Sequence, residues 1–135
     1  MKIKKTIPYL LIIVISLILV PFAINSFIKS ANKKANEYVR NFKPVTANLS
    51  NGKYHGKFKA FGIVTISEVE FQIENKIVKN IKFKRMFHTP GSPYKETIVN
   101  QIKQTRKLEV DAITGASRTS SFAKAAIKAA IENEK

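Results

Sequence analysis

Hydrophobic positions keep three different rhythms along this chain. Across residues 6–28 no charged side chain occurs, and residues 7–24 are almost wholly Ile, Leu, Val, Phe, Pro and Ala. About 20 such residues, rising ~1.5 Å each, cross the hydrocarbon of a bilayer, so the run predicts an N-terminal transmembrane helix. Pro8 suits a first helical turn, and Pro21 predicts a kink towards the far end. Ala31, Ala35, Tyr38 and Phe42 then recur at helical spacing through a Lys/Asn-rich stretch, which predicts a helical stalk ending by Pro44. A turn cluster follows at residues 48–52.

Beyond residue 50 the rhythm becomes two. Tyr54, Gly56, Phe58 and Ala60 alternate with His55, Lys57 and Lys59; Val69, Phe71 and Ile73 alternate with Glu68, Glu70, Gln72 and Glu74. After Glu74-Asn75-Lys76 the inward positions are Ile77, Ile81 and Phe83, with Val78, Asn80, Lys82 and Lys84 outward. Period-two patterning around an Asn-containing turn predicts a hairpin. The outward faces are acidic on one strand and basic on the next, which favours this pairing. One face of the sheet is wet.

Helical spacing then returns. Ser92 and Pro93 open a predicted helix whose stripe is Tyr94, Ile98 and Ile102 with Val99 beside it. Residues 120–134 form an alanine-rich helix, with Phe122, Ala126 and Ala130 on one face and Ala123, Ile127 and Ile131 next to them; its small side chains permit close approach to the sheet. The predicted class is α+β: a small antiparallel sheet packed with two helices, preceded by one transmembrane helix. The divisions are a membrane anchor at 1–29, a helical stalk at 30–49 and a domain at 50–135.

Composition removes whole classes of function. There are 135 residues and no cysteine, which excludes disulfide scaffolds, thiolate metal sites and cysteine nucleophiles. Two histidines, His55 and His88, make no metal centre, and the carboxylates are scattered, so no metal ligand set and no catalytic residue is assigned. Cleavage of the first segment as a signal peptide is the alternative to an anchor. The length of the apolar run and the lack of an A-x-A site favour the anchor, and a lipoprotein would need a cysteine. Lys2, Lys4 and Lys5 precede the run, while Lys29, Lys33, Lys34, Arg40 and Lys43 follow it, so lysine counting leaves the orientation open.

The chemistry concentrates at residues 110–121. Asp111 is the only aspartate in the chain, and Thr114, Ser117, Thr119, Ser120 and Ser121 bring five hydroxyls into eight residues. Gly115 permits a tight bend just before the alanine-rich helix. The free N–H groups and positive dipole of that helix N-terminus suit a phosphate. An ordinary Ser/Thr cap gives the same pattern.

Asp111-Ala112-Ile113-Thr114-Gly115-Ala116-Ser117 resembles the flavinylation motif of the FMN-binding domain family. That family includes the flavin-carrying C subunit of the sodium-translocating NADH:quinone oxidoreductase and the G subunit of the Rnf complex. Its motif is Asp, two variable residues, Ser or Thr, Gly, Ala, then the Thr or Ser that receives FMN, often followed by the Thr-Ser seen here at Thr119-Ser120. Tyr54-His55-Gly56, the hairpin and the helix before the motif extend the resemblance over residues 50–135. It implies covalent FMN as a phosphoester on Ser117, installed from FAD by a flavin transferase, with Thr119 next in line. Serine stands where the family more often has threonine.

By the same resemblance, Asp111 and Thr114 either position the loop or hydrogen-bond the flavin, with Gly115, Ala116 and Arg118 completing the site. Tyr54, Phe58, Phe61, Phe87 and Tyr94 are candidate surfaces for the ring, and His88 is a loop residue that either approaches it or is solvated. The implied role is electron carriage rather than stand-alone catalysis, with a quinone or an NADH dehydrogenase as membrane redox partner. The implied place is the cell membrane, single-pass, with the C-terminal domain extracytoplasmic.

The formal charge is +15, from 24 Lys+Arg against 9 Asp+Glu. With no nucleic-acid motif and with dispersed lysines, it points to anionic membrane lipid or an anionic polymer rather than to nucleic acid. A noncovalent flavin- or anion-binding module and a purely basic membrane anchor are the two rival readings.

Overall fold

A computed structural model describes residues 6–87, 93–110 and 117–134. The chain divides into two compact units, Met1–Ala31 and Asn32–Lys135. The first is built on helix α1, Thr6–Val39, which continues into the second. Its Ile, Leu, Val and Phe side chains are exposed from Ile7 to Phe27, and the helix is long and apolar enough to cross a membrane. Pro21 lies inside α1, which runs on to Val39.

The second unit is α+β. Strands β1 (Gly52–Lys59), β2 (Ile66–Glu74) and β3 (Ile77–Arg85) form one antiparallel sheet in the order β1-β2-β3, followed by helices α2 (Tyr94–Thr105) and α3 (Ser117–Asn133). Strands β2 and β3 turn at Asn75-Lys76, both with positive φ (53° and 63°). That backbone twist matches the twist of the flanking strands. The alternation predicted for β1 and β2 is present: Tyr54, Phe58, Ala60, Val69, Phe71 and Ile73 are buried.

On β3 the expectation needs correcting. Val78 is buried and Ile77 only half-buried. The pairing runs Gln72↔Asn80 and then Ile73↔Val78, so Lys79 is an unpaired extra residue that flips the phase at the turn end of the strand. Two helix limits also move. Helix α1 ends at Val39, well short of Pro44, and α3 begins at Ser117 rather than Ser120. Ser92, the predicted cap of α2, lies outside the described residues.

Helix α3 covers the inner face of β1 and β2, and α2 covers β3. Contact with α3 is closest at Gly56. A Cβ built there would stand 2.2 Å from Ala130 N, 2.4 Å from Ala126 O and 2.6 Å from Ala130 Cα, all backbone atoms. Only glycine permits this approach, and the buried alanines Ala123, Ala126 and Ala130 supply the matching small face. The aromatic pair Tyr54–Phe71 stacks beside it, with centroids 5.0 Å apart and an interplanar angle of 5°.

The second unit also includes the last turns of α1. Tyr38 stacks on Phe58 at 5.0 Å and donates its hydroxyl to Glu132 of α3 at 2.6 Å. Lys128 Nζ donates to Tyr38 O. The segment after α1 is pinned by Thr46, which is 1% exposed. Its Oγ1 donates to Glu109 Oε2 and accepts from Leu108 N, both at 2.8 Å. This fixes the chain just before residue 111.

Gly56→Ala is expected to lower stability by at least the ~1–3 kcal/mol typical of overpacking, because the obstructing atoms are helix backbone. Denaturant titration of the full chain in detergent measures it. A second prediction concerns pH. Glu68 Oε1 lies 2.7 Å from His55 Nε2 across β1 and β2, and this hydrogen bond, helped by the charges on His55, Lys57 and Lys84, holds the carboxyl below its ordinary 4.5. The stabilisation is complete above the ordinary carboxylate range and is lost as pH falls through the lowered value. Glu68→Gln should therefore flatten the acid side of a stability–pH curve and leave the neutral side nearly parallel to wild type.

Candidate functional site

The first turn of α3 gathers most of the described chemistry. Ser117 is the first residue of the helix, and no acidic residue lies in that turn. The leading N–H groups of an α-helix have no partner within it, so this end carries partial positive charge uncompensated from inside the turn. The Arg118 guanidinium lies over the ring of Phe87, 5.6 Å from its centroid, within cation–π range. A cation–π contact leaves the N–H donors of a guanidinium available, and they can take an oxyanion in bidentate fashion.

Two hydroxyls behind Arg118 are buried. Thr119 is 0% exposed and Ser120 4%, and neither Thr119 Oγ1 nor Ser120 Oγ has a hydrogen-bond partner among the described residues. Buried hydroxyls normally find partners, because each one left alone costs about 1–3 kcal/mol. Ser121 Oγ donates to Asn36 Oδ1 of α1. One turn earlier on α1, Asn32 Oδ1 is also buried without a partner among the described residues. Asn32 and Asn36 were not singled out from the sequence. Their signal, two asparagines four apart alongside the Ala31/Ala35 stripe, is visible once the polar side of that stripe is read as well as the apolar one.

Phe122 holds the turn down. It is fully buried and meets Phe58 edge-on at 5.6 Å and Phe87 edge-on at 4.9 Å. Phe87 follows the end of β3, and its N–H donates to Ser67 Oγ at 3.2 Å, so the sheet sets the height of the ring under Arg118.

The aromatic candidates separate by environment. Tyr54 and Phe58 are core residues, 5% and 8% exposed. Phe61 sits on the loop between β1 and β2, and Tyr94 opens α2 half-buried. Phe87, half-buried beside Arg118, is the aromatic the fold brings to the start of α3. Asp111, Thr114, Gly115, Ala116 and His88 lie outside the described residues.

A groove of about 840 Å³ lies elsewhere, along the wet sheet face, with Lys53, His55, Lys79, Lys82, Lys103 and Arg106 in its lining. No residue of α3 contributes to it. The tyrosine and phenylalanine that border it, Tyr54 and Phe71, are buried and stacked on each other, so they offer no open face to a planar ligand.

FMN, the cofactor implied by the sequence resemblance, carries a phosphate dianion and a flat ring. The residues at the α3 N-terminus fit it: a helix end rich in N–H donors, an arginine, two buried hydroxyls without partners among the described residues, and a half-buried aromatic. No curated protein and no solved structure matches the chain. The family model described as FMN-binding domain matches residues 59–132, more than half of the chain, from the last residue of β1 into the last turn of α3. The chain thus belongs to the FMN-binding domain family and is a flavin-binding protein.

Proposed function

We propose that this protein is a single-pass membrane flavoprotein that carries FMN covalently on Ser117 and relays electrons in a respiratory or extracellular electron-transfer chain. The observation that carries the reading is the position of Ser117, first residue of α3, at the head of a turn with Arg118 and two buried hydroxyls that have no partner among the described residues. Family membership supplies the flavin, and α1 is an apolar helix of spanning length. The domain lies on the outer side of the cell membrane, as in the family members that the motif resembles.

Attachment is a group transfer. Ser117 Oγ attacks the riboflavin-side phosphorus of FAD within a flavin transferase; the Oγ–P bond forms, the pyrophosphate P–O bond breaks, AMP leaves, and the hydroxyl proton passes to the transferase or solvent. Arg118 and the N–H groups of the first turn hold the phosphodiester anion. Asp111 and Thr114 would position Ser117 for the transferase or hydrogen-bond the flavin. Thr119 and Ser120 donate from beneath the turn, and Phe87 offers an apolar edge. The bound flavin supplies reversible electron uptake, so the chain needs no acid–base residue of its own. Its redox partners are a membrane quinone or an NADH dehydrogenase.

Co-expression with a flavin transferase should give a band that keeps flavin fluorescence through denaturing electrophoresis. Ser117→Ala should abolish that fluorescence with an unchanged thermal midpoint, whereas Thr119→Ala should retain it. Flavin that leaves on denaturation of the wild type would contradict the covalent reading and favour a noncovalent module. Arg118→Gln should retain attachment but slow it by about ten- to a hundred-fold, since one charge-assisted contact to the phosphate contributes about 1.5–3 kcal/mol.

A further inference from the structure

In the second unit, exposed large hydrophobic side chains are concentrated at one place. Phe61, Ile63 and Val64, 36%, 79% and 69% exposed, form the tip of the β1–β2 loop, and only Val45 stands apart among the described residues of this unit. An apolar cluster of this kind on an otherwise lysine-rich surface marks a contact surface.

The tip is a built structure. Ala60 N donates to Thr65 O at 3.1 Å and Phe61 N donates to Thr65 Oγ1 at 2.7 Å, while Thr65 Oγ1 donates in turn to Phe61 O. Thr65 itself is fully buried. Gly62 adopts a φ of +53°, the left-handed conformation that glycine takes without strain. The base of the loop is closed by hydrogen bonds, while Ile63 and Val64 face outward.

The loop is also tied to α1. Lys34 Nζ donates to Ala60 O at 2.8 Å and lies 4.6 Å from the centre of the Phe61 ring. Lys34 stands six positions after Ile28, the end of the uncharged run. Six residues reach about 20 Å even when fully extended, so the chain keeps the loop close to wherever that run leaves the hydrocarbon. Lys34 brings positive charge to the loop itself, and Lys57 and Lys59 are exposed on the end of β1 that leads into it. Exposed apolar residues with lysines on the adjoining strand and helix match a bilayer interface with anionic headgroups, where lysine stems lie along lipid and their heads stay in the polar layer.

We infer that the β1–β2 loop is a second, shallow membrane contact, with Ile63 and Val64 inserted into the interface of an anionic bilayer. The inference rests on the membrane-anchor reading of α1. Its consequence is geometric: a domain held at two points, the anchor and the loop, is restricted in rotation above the membrane, so that its flavin faces partners at a fixed height.

The absence of native cysteine allows one environment-sensitive fluorophore to be placed on the full chain at Ile63→Cys, Ile15→Cys or Glu74→Cys. The protein is reconstituted in phosphatidylcholine/phosphatidylglycerol vesicles carrying nitroxide lipids of known depth. Glu74 is the control, at the other end of the nine-residue strand β2 and about 30 Å away. The Ile63 label should shift to the blue and lose emission to shallow nitroxides, the Glu74 label should do neither, and the Ile15 label should be quenched by deep nitroxides. An Ile63 label that behaves like Glu74 while Ile15 is quenched overturns the inference and leaves the anchor standing. A blue shift at Ile63 without lipid quenching puts the tip against protein and also overturns it. An unquenched Ile15 label removes the anchor reading, and the inference with it.

Discussion

The approach of α3 to Gly56 is the constraint from which the rest of the second unit follows. Backbone atoms of Ala126 and Ala130 occupy the space that any side chain at position 56 would need. A helix packed that closely has little freedom to slide or roll, because the interlocking atoms are main chain rather than adaptable side chains. With the middle of α3 locked on β1, its first turn is carried to the end of the sheet where Phe87 leaves β3. Phe122 then completes the junction by packing edge-on against both Phe58 and Phe87. The position of Arg118 over Phe87 is the outcome of that chain of contacts. The chemistry at the start of α3 is placed by packing about two to three turns further along the helix.

Much of this architecture was legible from period alone. Tyr54, Phe58, Val69, Phe71 and Ile73 declare their inward face because a strand has a two-residue repeat and one side of the sheet is wet. Ile98 and Ile102 do the same for α2 at helical spacing, and both are fully buried. Period fails where the backbone departs from regularity. Val78 faces the core because Lys79 is an extra residue in the ladder, and nothing in the local composition announces a bulge. The beginning of α3 lies three residues before the alanine-rich run because Ser117 and Thr119, of only middling helix propensity, hide the first turn in the sequence. The hydroxyl-rich pattern read as a cap or motif, whereas the helix already includes it.

The site was legible to a different degree. The motif at 111–117 names its residues directly, but Asp111, Thr114, Gly115 and Ala116 lie outside the described residues, so the fold speaks for Arg118 and Thr119 and for the backbone of Ser117. Phe87 was one of five aromatic candidates that sequence alone could not rank. Its selection depends on Ser67 and Phe122, which are distant in sequence. Asn32 and Asn36 are not legible in the same way, because asparagines flanking an alanine stripe look solvated until α3 packs beside them. Thr46 also escaped: a buried threonine that holds Leu108 and Glu109 is invisible until the chain has folded back.

The proposed role rests on location, a flavin held at a membrane on Ser117, and the attachment is its most exposed point. The most direct measurement is the mass of the tryptic peptide spanning residues 108–118, cut after Lys107 and Arg118, from protein made alongside a flavin transferase. The account predicts that this peptide is heavier by one FMN less one water, with fragmentation assigning the addition to Ser117. A peptide of unmodified mass from a preparation in which the transferase is active on another substrate would contradict it.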